Sequence, residues 1–353
     1  MTAEILHQDR LLPGVSRTFA LTIPQLPESL RPAITNAYLL CRIADTIEDS
    51  TRLAPRDKDL HYQALIDTLH GEEDPALFAH RLMAASRPEQ PLERELLAET
   101  PMVIAVFRDL PKAQRRALQR CLDTMCRGMA RFERLKHSDG LPDRQTFRDY
   151  CYVVAGVVGE MLTSLFAQAN PDIARHEGRL RQLALGFGQG LQMTNILKDI
   201  WDDRARGICW LPRDVLAEHG FRPLAGDRWH EDSRFRAGLG FLVAVAYRHL
   251  CQARDYTLLI PASEPGIRRF CSWAIGMALY TLRNIAHNRS FTRGNEVKIS
   301  RRRLHAIITA CNLSVRSDML LIAGFNWASR GLPNIEEKQL AGLAAEERLT
   351  CNA

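Results

Sequence analysis

The sequence predicts an all-α fold. Apolar residues recur three and four apart in long segments, no stretch alternates apolar and polar residues as a half-buried strand would, and Pro and Gly fall between the runs. The helical runs cover residues 33–47, 117–132, 150–166, 183–201, 241–259, 270–285 and 304–325. Pro27-Glu28-Ser29 is expected to open the first of them. Leu141-Pro142-Asp143 reads as a turn and N-cap ahead of the run that begins at Tyr150. Pro212, in Trp210-Leu211-Pro212, is expected to stop the helix that carries Asp199, because proline lacks the amide a helix interior needs. No Pro/Gly/Ser-rich linker or composition shift divides the chain, so residues 1–353 are expected to form one helical domain.

Composition narrows the function classes. With 46% hydrophobic and 25% charged residues the chain has the make-up of a globular protein with a large core. A formal charge of +6 is modest at this length, and no basic stretch is interleaved with aromatic residues, which sets nucleic-acid binding aside. The 9 cysteines include no CxxC pair and lie mostly in apolar segments, as free thiols do. The 11 histidines show no HExxH spacing, so zinc is not expected. The N-terminus, MTAEILHQDR, lacks the layout of a secretory signal. The apolar stretches around 240–247 and 319–327 fall short of the roughly 20 residues a membrane span needs, so the expectation is a cytoplasmic protein with peripheral membrane contact, near Arg301–Arg303.

Two segments carry the chemistry. Residues 38–49 read YLLCRIADTIED and residues 192–203 read QMTNILKDIWDD, so Asp45/Glu48/Asp49 and Asp199/Asp202/Asp203 repeat one acidic spacing. At about 100° per residue, Tyr38, Arg42, Asp45 and Asp49 fall near 0°, 40°, −20° and 20° on the helix wheel, and Gln192, Asn195, Asp199 and Asp203 near 0°, −60°, −20° and 20°. The remaining positions are apolar: Leu39, Leu40, Ile43, Ala44 and Ile47 in one helix, Met193, Ile196, Leu197, Ile200 and Trp201 in the other. Carboxylates are costly away from water, so a helix that is apolar elsewhere and ionised along one stripe belongs beside a polar cavity. Carboxylates at i and i+4 offer hard oxygen ligands, and two such helices face to face can bridge magnesium ions that also hold phosphate oxygens. One such pattern alone is usually a solvated helix face. Two copies with matched companions within apolar surroundings are not. Gly186-Phe-Gly188-Gln-Gly190 resembles a nucleotide loop only superficially, since a helix surrounds it and no strand precedes it.

At these motifs the chain resembles the squalene and phytoene synthases, the head-to-head prenyl transferases. Ser16-Arg17-Thr18-Phe19 is similar to the family's N-terminal SRxF segment, residues 45–49 and 195–203 to its two aspartate-rich motifs, and residues 150–159 (YCYVVAGVVG) to the helix between them. Val297-Lys298-Ile299, after Phe291-Thr-Arg-Gly294, looks more like squalene than phytoene synthases. Val153 stands where many members carry a second tyrosine, and Ile208 where several carry an arginine, a role that Arg204 or Arg206 is expected to cover.

The resemblance implies an all-α isoprenoid (class I terpenoid) synthase fold around a central cavity. It implies Mg2+ held by Asp45, Asp49, Asp199 and Asp203 with Glu48 beside them, and diphosphate bound by Arg17 and Arg42. Tyr38 and Tyr150 would act in catalysis, Gln192 and Asn195 would bind substrate, and Asp202 and Lys198 are secondary candidates. Lys298 and Arg301 would meet NADPH. The implied reaction condenses two farnesyl diphosphates through presqualene diphosphate to squalene. A non-reductive relative ending at presqualene diphosphate, dehydrosqualene or phytoene stays open, as does a non-catalytic helical scaffold.

Overall fold

The computed structural model describes residues 3–15, 19–223 and 228–333, and among them there are helices and no strand. In chain order these are α1 (Ala3–Val15), α2 (Phe19–Thr22), α3 (Arg31–Asp49), α4 (Pro55–His70), α5 (Pro75–Ser86), α6 (Pro91–Ala98), α7 (Thr100–Asp109), α8 (Lys112–Glu133) and α9 (Arg144–Cys151). A π-helical turn, Tyr152–Gly156, leads into α10 (Val157–Ala169) and α11 (Pro171–Ala174). Then come α12 (Glu177–Ala205), α13 (Arg213–Glu218), α14 (Ser233–Leu259), α15 (Pro265–His287), α16 (Arg301–Ser314) and α17 (Asp318–Ala328).

Helix ends differ from the sequence expectation where local chemistry intervenes. Pro27 starts a turn, with Leu30 N–H donating to the Pro27 carbonyl at 3.0 Å, and α3 itself begins at Arg31 with Pro32 in its first turn. The helix carrying Asp199 does not run to Pro212. It ends at Ala205, because Gly207 takes a left-handed conformation (φ +77°) that closes it, and Pro212 instead precedes α13. Asp143 caps α9 as expected, accepting from Thr146 N–H at 2.7 Å. The run at 304–325 splits into α16 and α17, because Ser317 is extended and caps a new helix, accepting from Leu320 N–H at 3.4 Å.

Helix α12 is central, packing along α14 and also touching α10, the π-helical turn and α15. Its glycines serve that packing and no nucleotide loop. A Cβ at Gly188 would overlap the Ala155 carbonyl oxygen, and one at Gly159 would lie 2.6 Å from the Ala184 carbonyl oxygen, so the two backbones meet at both points. Two buried apolar clusters result, one built on α3, α4, α8 and α10, the other on α12, α14 and α15. Val154 and Phe187, only partly buried, border both clusters and mark a seam between them.

One stretch, Arg144–Ala169, is long and apolar enough to cross a membrane by length and composition, contrary to the expectation that none reached that length. Its apolarity has a local cause, since more than half of its apolar window is buried against α8, α12 and neighbouring elements.

Candidate active site

In three dimensions both polar stripes lie on helices whose other faces are buried. In α3, Leu39, Leu40, Ile43, Ala44 and Ile47 are wholly buried, while Tyr38, Arg42 and Asp45 are half-buried and Asp49 is exposed. In α12, Met193, Ile196, Leu197 and Ile200 are buried, Gln192 and Asp199 are half-buried and Asn195 is exposed. Asp203 is the most enclosed of the four aspartates, at 8% exposure, so its carboxylate needs a partner.

That partner joins the two motifs. Arg206, one residue past the end of α12, donates from Nη2 to Asp203 Oδ1 at 2.6 Å and from Nη1 to Asp49 Oδ1 at 2.9 Å. A single guanidinium therefore spans α3 and α12, with about 150 residues of chain between them, and sets the two acidic stripes against each other. Three other acids near it have local cations: Arg42 donates to Asp45 at 2.9 Å and lies 3.5 Å from Glu93, and Lys198 lies 3.0 Å from Asp199. Among the described residues no three acids, histidines or cysteines converge to hold one ion in this structure.

The electrostatics nevertheless favour an added cation. Burial pushes Asp45 up to about 6, against the opposing pull of Arg42 and with help from Asp49. Burial also raises Asp203, although Arg206 opposes it. Glu48 is pushed up to about 7, by burial first, with Lys136 opposing and Asp49 and Asp45 adding to the rise. Partly desolvated carboxylates with hard oxygen donors are the chemistry of a magnesium site; Asp45 and Asp203 have that character, and Asp49 and Asp199 lie on the same two stripes.

Glu48 lies off the stripe and turns inward. It accepts from the Tyr150 hydroxyl at 3.3 Å and lies 3.9 Å from Lys136 Nζ. The Tyr150 ring is held by stacking on Trp210, with centroids 3.8 Å apart, and by an edge contact from Phe132 at 5.3 Å. Tyr38 packs on Phe19 at 5.1 Å. Below them lies a buried ionic cluster that sequence reasoning missed. Lys58 Nζ donates to the Glu48 carbonyl at 2.7 Å and to Glu133 Oε1 at 2.8 Å, and Lys136 Nζ forms an ion pair with Glu133 Oε2 at 2.5 Å. Glu93 likewise carries no motif, and Arg206 enters the sequence reading only as one of two arginines, with Arg204, able to cover for the arginine that Ile208 replaces. Arg206 alone left a signal, an arginine three residues after Asp203.

The C-terminal basic segment reaches the second motif. A Cβ on Gly294 would lie 3.1 Å from the Lys198 carbonyl oxygen and 3.2 Å from carboxylate oxygens of both Asp199 and Asp202, so the turn at Gly294–Glu296 rests on the acidic end of α12. Asn284 Nδ2 donates to the Val297 carbonyl at 3.0 Å and fixes the chain there, leaving the Lys298 and Arg301 side chains exposed. Arg17 lies outside the described residues.

Comparison with known proteins agrees with this geometry. The squalene synthase ERG9 of Saccharomyces cerevisiae is 29% identical over 325 residues, covering 90% of this chain and 68% of the yeast protein. The squalene synthase of Schizosaccharomyces pombe is 30% identical over 322 residues, covering 88% of this chain and 66% of that protein. The chain thus spans about two thirds of the length of these relatives. Among solved structures, TcSQS in complex with BPH1237 superimposes with a TM-score of 0.73 at 22% identity, over 95% of this chain and 94% of that one. A dehydrosqualene synthase superimposes with a TM-score of 0.64 at 19% identity, over 89% of this chain and 96% of that one. At those identities the structural likeness speaks to the fold. The squalene/phytoene synthase family profile matches residues 12–303, a span that takes in both acidic motifs and the helix between them, and the chain belongs to that family.

Proposed function

We propose that this chain is a squalene synthase, a farnesyl-diphosphate farnesyltransferase that joins two farnesyl diphosphates through presqualene diphosphate and reduces the product to squalene. The observation that carries the reading is the Arg206 bridge between Asp49 and Asp203, which sets the two acidic motifs against each other. The family match and the squalene synthases among the relatives support the choice of product.

Asp45, Asp49, Asp199 and Asp203 would hold magnesium, and Lys298 and Arg301 would meet the phosphates of NADPH. When bound, magnesium supplies charge that stabilises departing diphosphate, and NADPH supplies the hydride of the reductive step. The protein does the rest. Arg42 and Arg17 bind diphosphate, and Gln192 and Asn195 orient the reacting ends. Val153, Val154, Val158, Leu162, Phe187 and Leu191 are partly exposed on central helices, and they form the apolar wall that receives the farnesyl tails and excludes water. One farnesyl chain ionises, the double bond of the second attacks it, and loss of a proton closes the cyclopropane. Tyr150 and Glu48 are a hydrogen-bonded pair able to carry a proton near neutral pH, because Glu48 is pushed up to about 7 by burial first of all.

The protein works at a membrane surface. The exposed apolar side chains of α17, Met319 at 74% and Trp327 at 53% among them, suit a lipid interface, and Trp327 and the exposed Arg303 of α16 both pack on Tyr280. The test of function is incubation with farnesyl diphosphate and Mg2+, with and without NADPH. Squalene is expected only with NADPH. The same hydrocarbon at the same rate without it would overturn the reductive assignment.

A further inference from the structure

We propose that Arg206 is an exchangeable counter-ion: it clasps Asp49 and Asp203 while the site lacks metal, then releases both carboxylates to the metal and moves its guanidinium onto diphosphate. This rests on the reading of the site given above. Three features single out Arg206. It reaches both motifs at once, with one nitrogen on each helix, whereas Arg42 pairs with Asp45 on its own helix and with Glu93, and Lys198 pairs with its neighbour Asp199. It sits at the C-cap of α12, its amide donating to the Asp203 carbonyl at 2.9 Å, so the backbone is held beside both motifs and the long side chain alone has to move. Its side chain is 41% exposed, whereas the Lys58–Glu133 pair is 6% and 7% exposed, so its clasp can open without breaching the core.

The energetics favour exchange. The Arg206–Asp49 half is exposed on both sides and weakly held, whereas Asp203 is enclosed and needs a cation at all times, so a dication that serves both carboxylates can take the place of the guanidinium without leaving Asp203 unpaired. The freed guanidinium presents a planar fork that matches phosphate oxygens and is stabilised by their greater charge. The clasp would thus keep Asp49 and Asp203 from repelling each other in the empty site, compete with metal that arrives alone, and cooperate with metal that arrives with diphosphate.

That gives opposite signs for two binding steps in one variant. Titration calorimetry on wild type, R206Q and R206K would measure Mn2+ alone, then inorganic diphosphate at saturating Mg2+. In R206Q the competing charge is gone, so Mn2+ alone is expected to bind about fivefold tighter or better. Diphosphate is expected to bind about tenfold weaker, the effect of losing a charge-assisted fork. R206K keeps the charge without the fork, so it is expected to bind Mn2+ like wild type and diphosphate at an intermediate strength. A structural clasp would weaken both steps in R206Q, and a plain diphosphate ligand would leave Mn2+ binding unchanged. Either result overturns the exchange. If R206Q does not fold, R206K decides: diphosphate affinity equal to wild type would overturn the proposal. If wild type shows no Mg2+-dependent diphosphate binding at all, the reading of the site itself fails.

Discussion

Replacing Lys58 by methionine is expected to destabilise the protein by about 3 kcal/mol and to blunt its response to magnesium. The magnitude follows from the burial and the sharing of partners. Lys58 is 5% exposed and donates to both the Glu48 carbonyl and Glu133, which is 9% exposed. Removing one member of a buried pair costs about 3–5 kcal/mol, since a charge is left without its partner. The lower end applies, because Lys136 remains on Glu133 at 2.5 Å. Glu133→Gln leaves two ammonium groups facing each other and is expected to cost nearer 5 kcal/mol. The double variant K58M/E133Q is expected to fall short of the sum by about 2 kcal/mol, the coupling of a direct contact. Denaturant midpoints with unchanged slope would give these values. The functional link runs through the Glu48 carbonyl, which Lys58 holds at the end of the helix that carries Asp45 and Asp49, so half-saturation by Mg2+ is expected to rise in K58M. A cost below about 1 kcal/mol, or an additive double variant, would refute the claim that this buried cluster anchors the first motif.

Other outcomes follow from the same structure. Asp45→Asn and Asp199→Asn are each expected to abolish turnover while the far-ultraviolet circular dichroism stays that of wild type, because each removes a ligand charge without changing size; full activity of either in Mg2+ would contradict the two-motif site. Folding raises Asp45 from 3.8 to about 6 and Glu48 from 4.5 to about 7, so the folded, metal-free protein binds more protons than the unfolded chain across that range. Its stability is therefore expected to be greatest at the acid end of this window and to fall as pH rises through about 7, and melting curves with saturating Mg2+ are expected to lose that slope. Gly188→Ala would force a Cβ into the Ala155 carbonyl and is expected to cost about 2–3 kcal/mol by denaturant melts. Gly178→Ala, in the same helix with open space around it, is expected to gain about 0.5–1 kcal/mol.

The two polar stripes of the candidate site were legible because helical periodicity is local. The spacing of Tyr38, Arg42, Asp45 and Asp49, and of Gln192, Asn195, Asp199 and Asp203, placed two polar stripes on apolar helices, and the burial of Leu39, Ile43, Met193 and Leu197 agrees. What the sequence could not show is what long-range packing decides. Lys58 and Glu133 are 75 residues apart and carry no motif, so their pairing appears only once α4 and α8 pack together. Nor does periodicity reveal the π-helical turn at Tyr152–Gly156, inside a run that reads as one regular helix. Helix ends were read from proline where other residues set them, and Gly207 rather than Pro212 closes α12.

The central claim is that both acidic helices together hold the metal that carries diphosphate. The most direct measurement is anomalous diffraction from crystals grown with Mn2+ and a non-cleavable thio analogue of farnesyl diphosphate. Peaks are expected within about 2.2 Å of carboxylate oxygens from both pairs, Asp45/Asp49 and Asp199/Asp203, with the analogue's phosphate oxygens completing their coordination. Peaks against one helix alone, in crystals of an enzyme active in solution, would contradict the account.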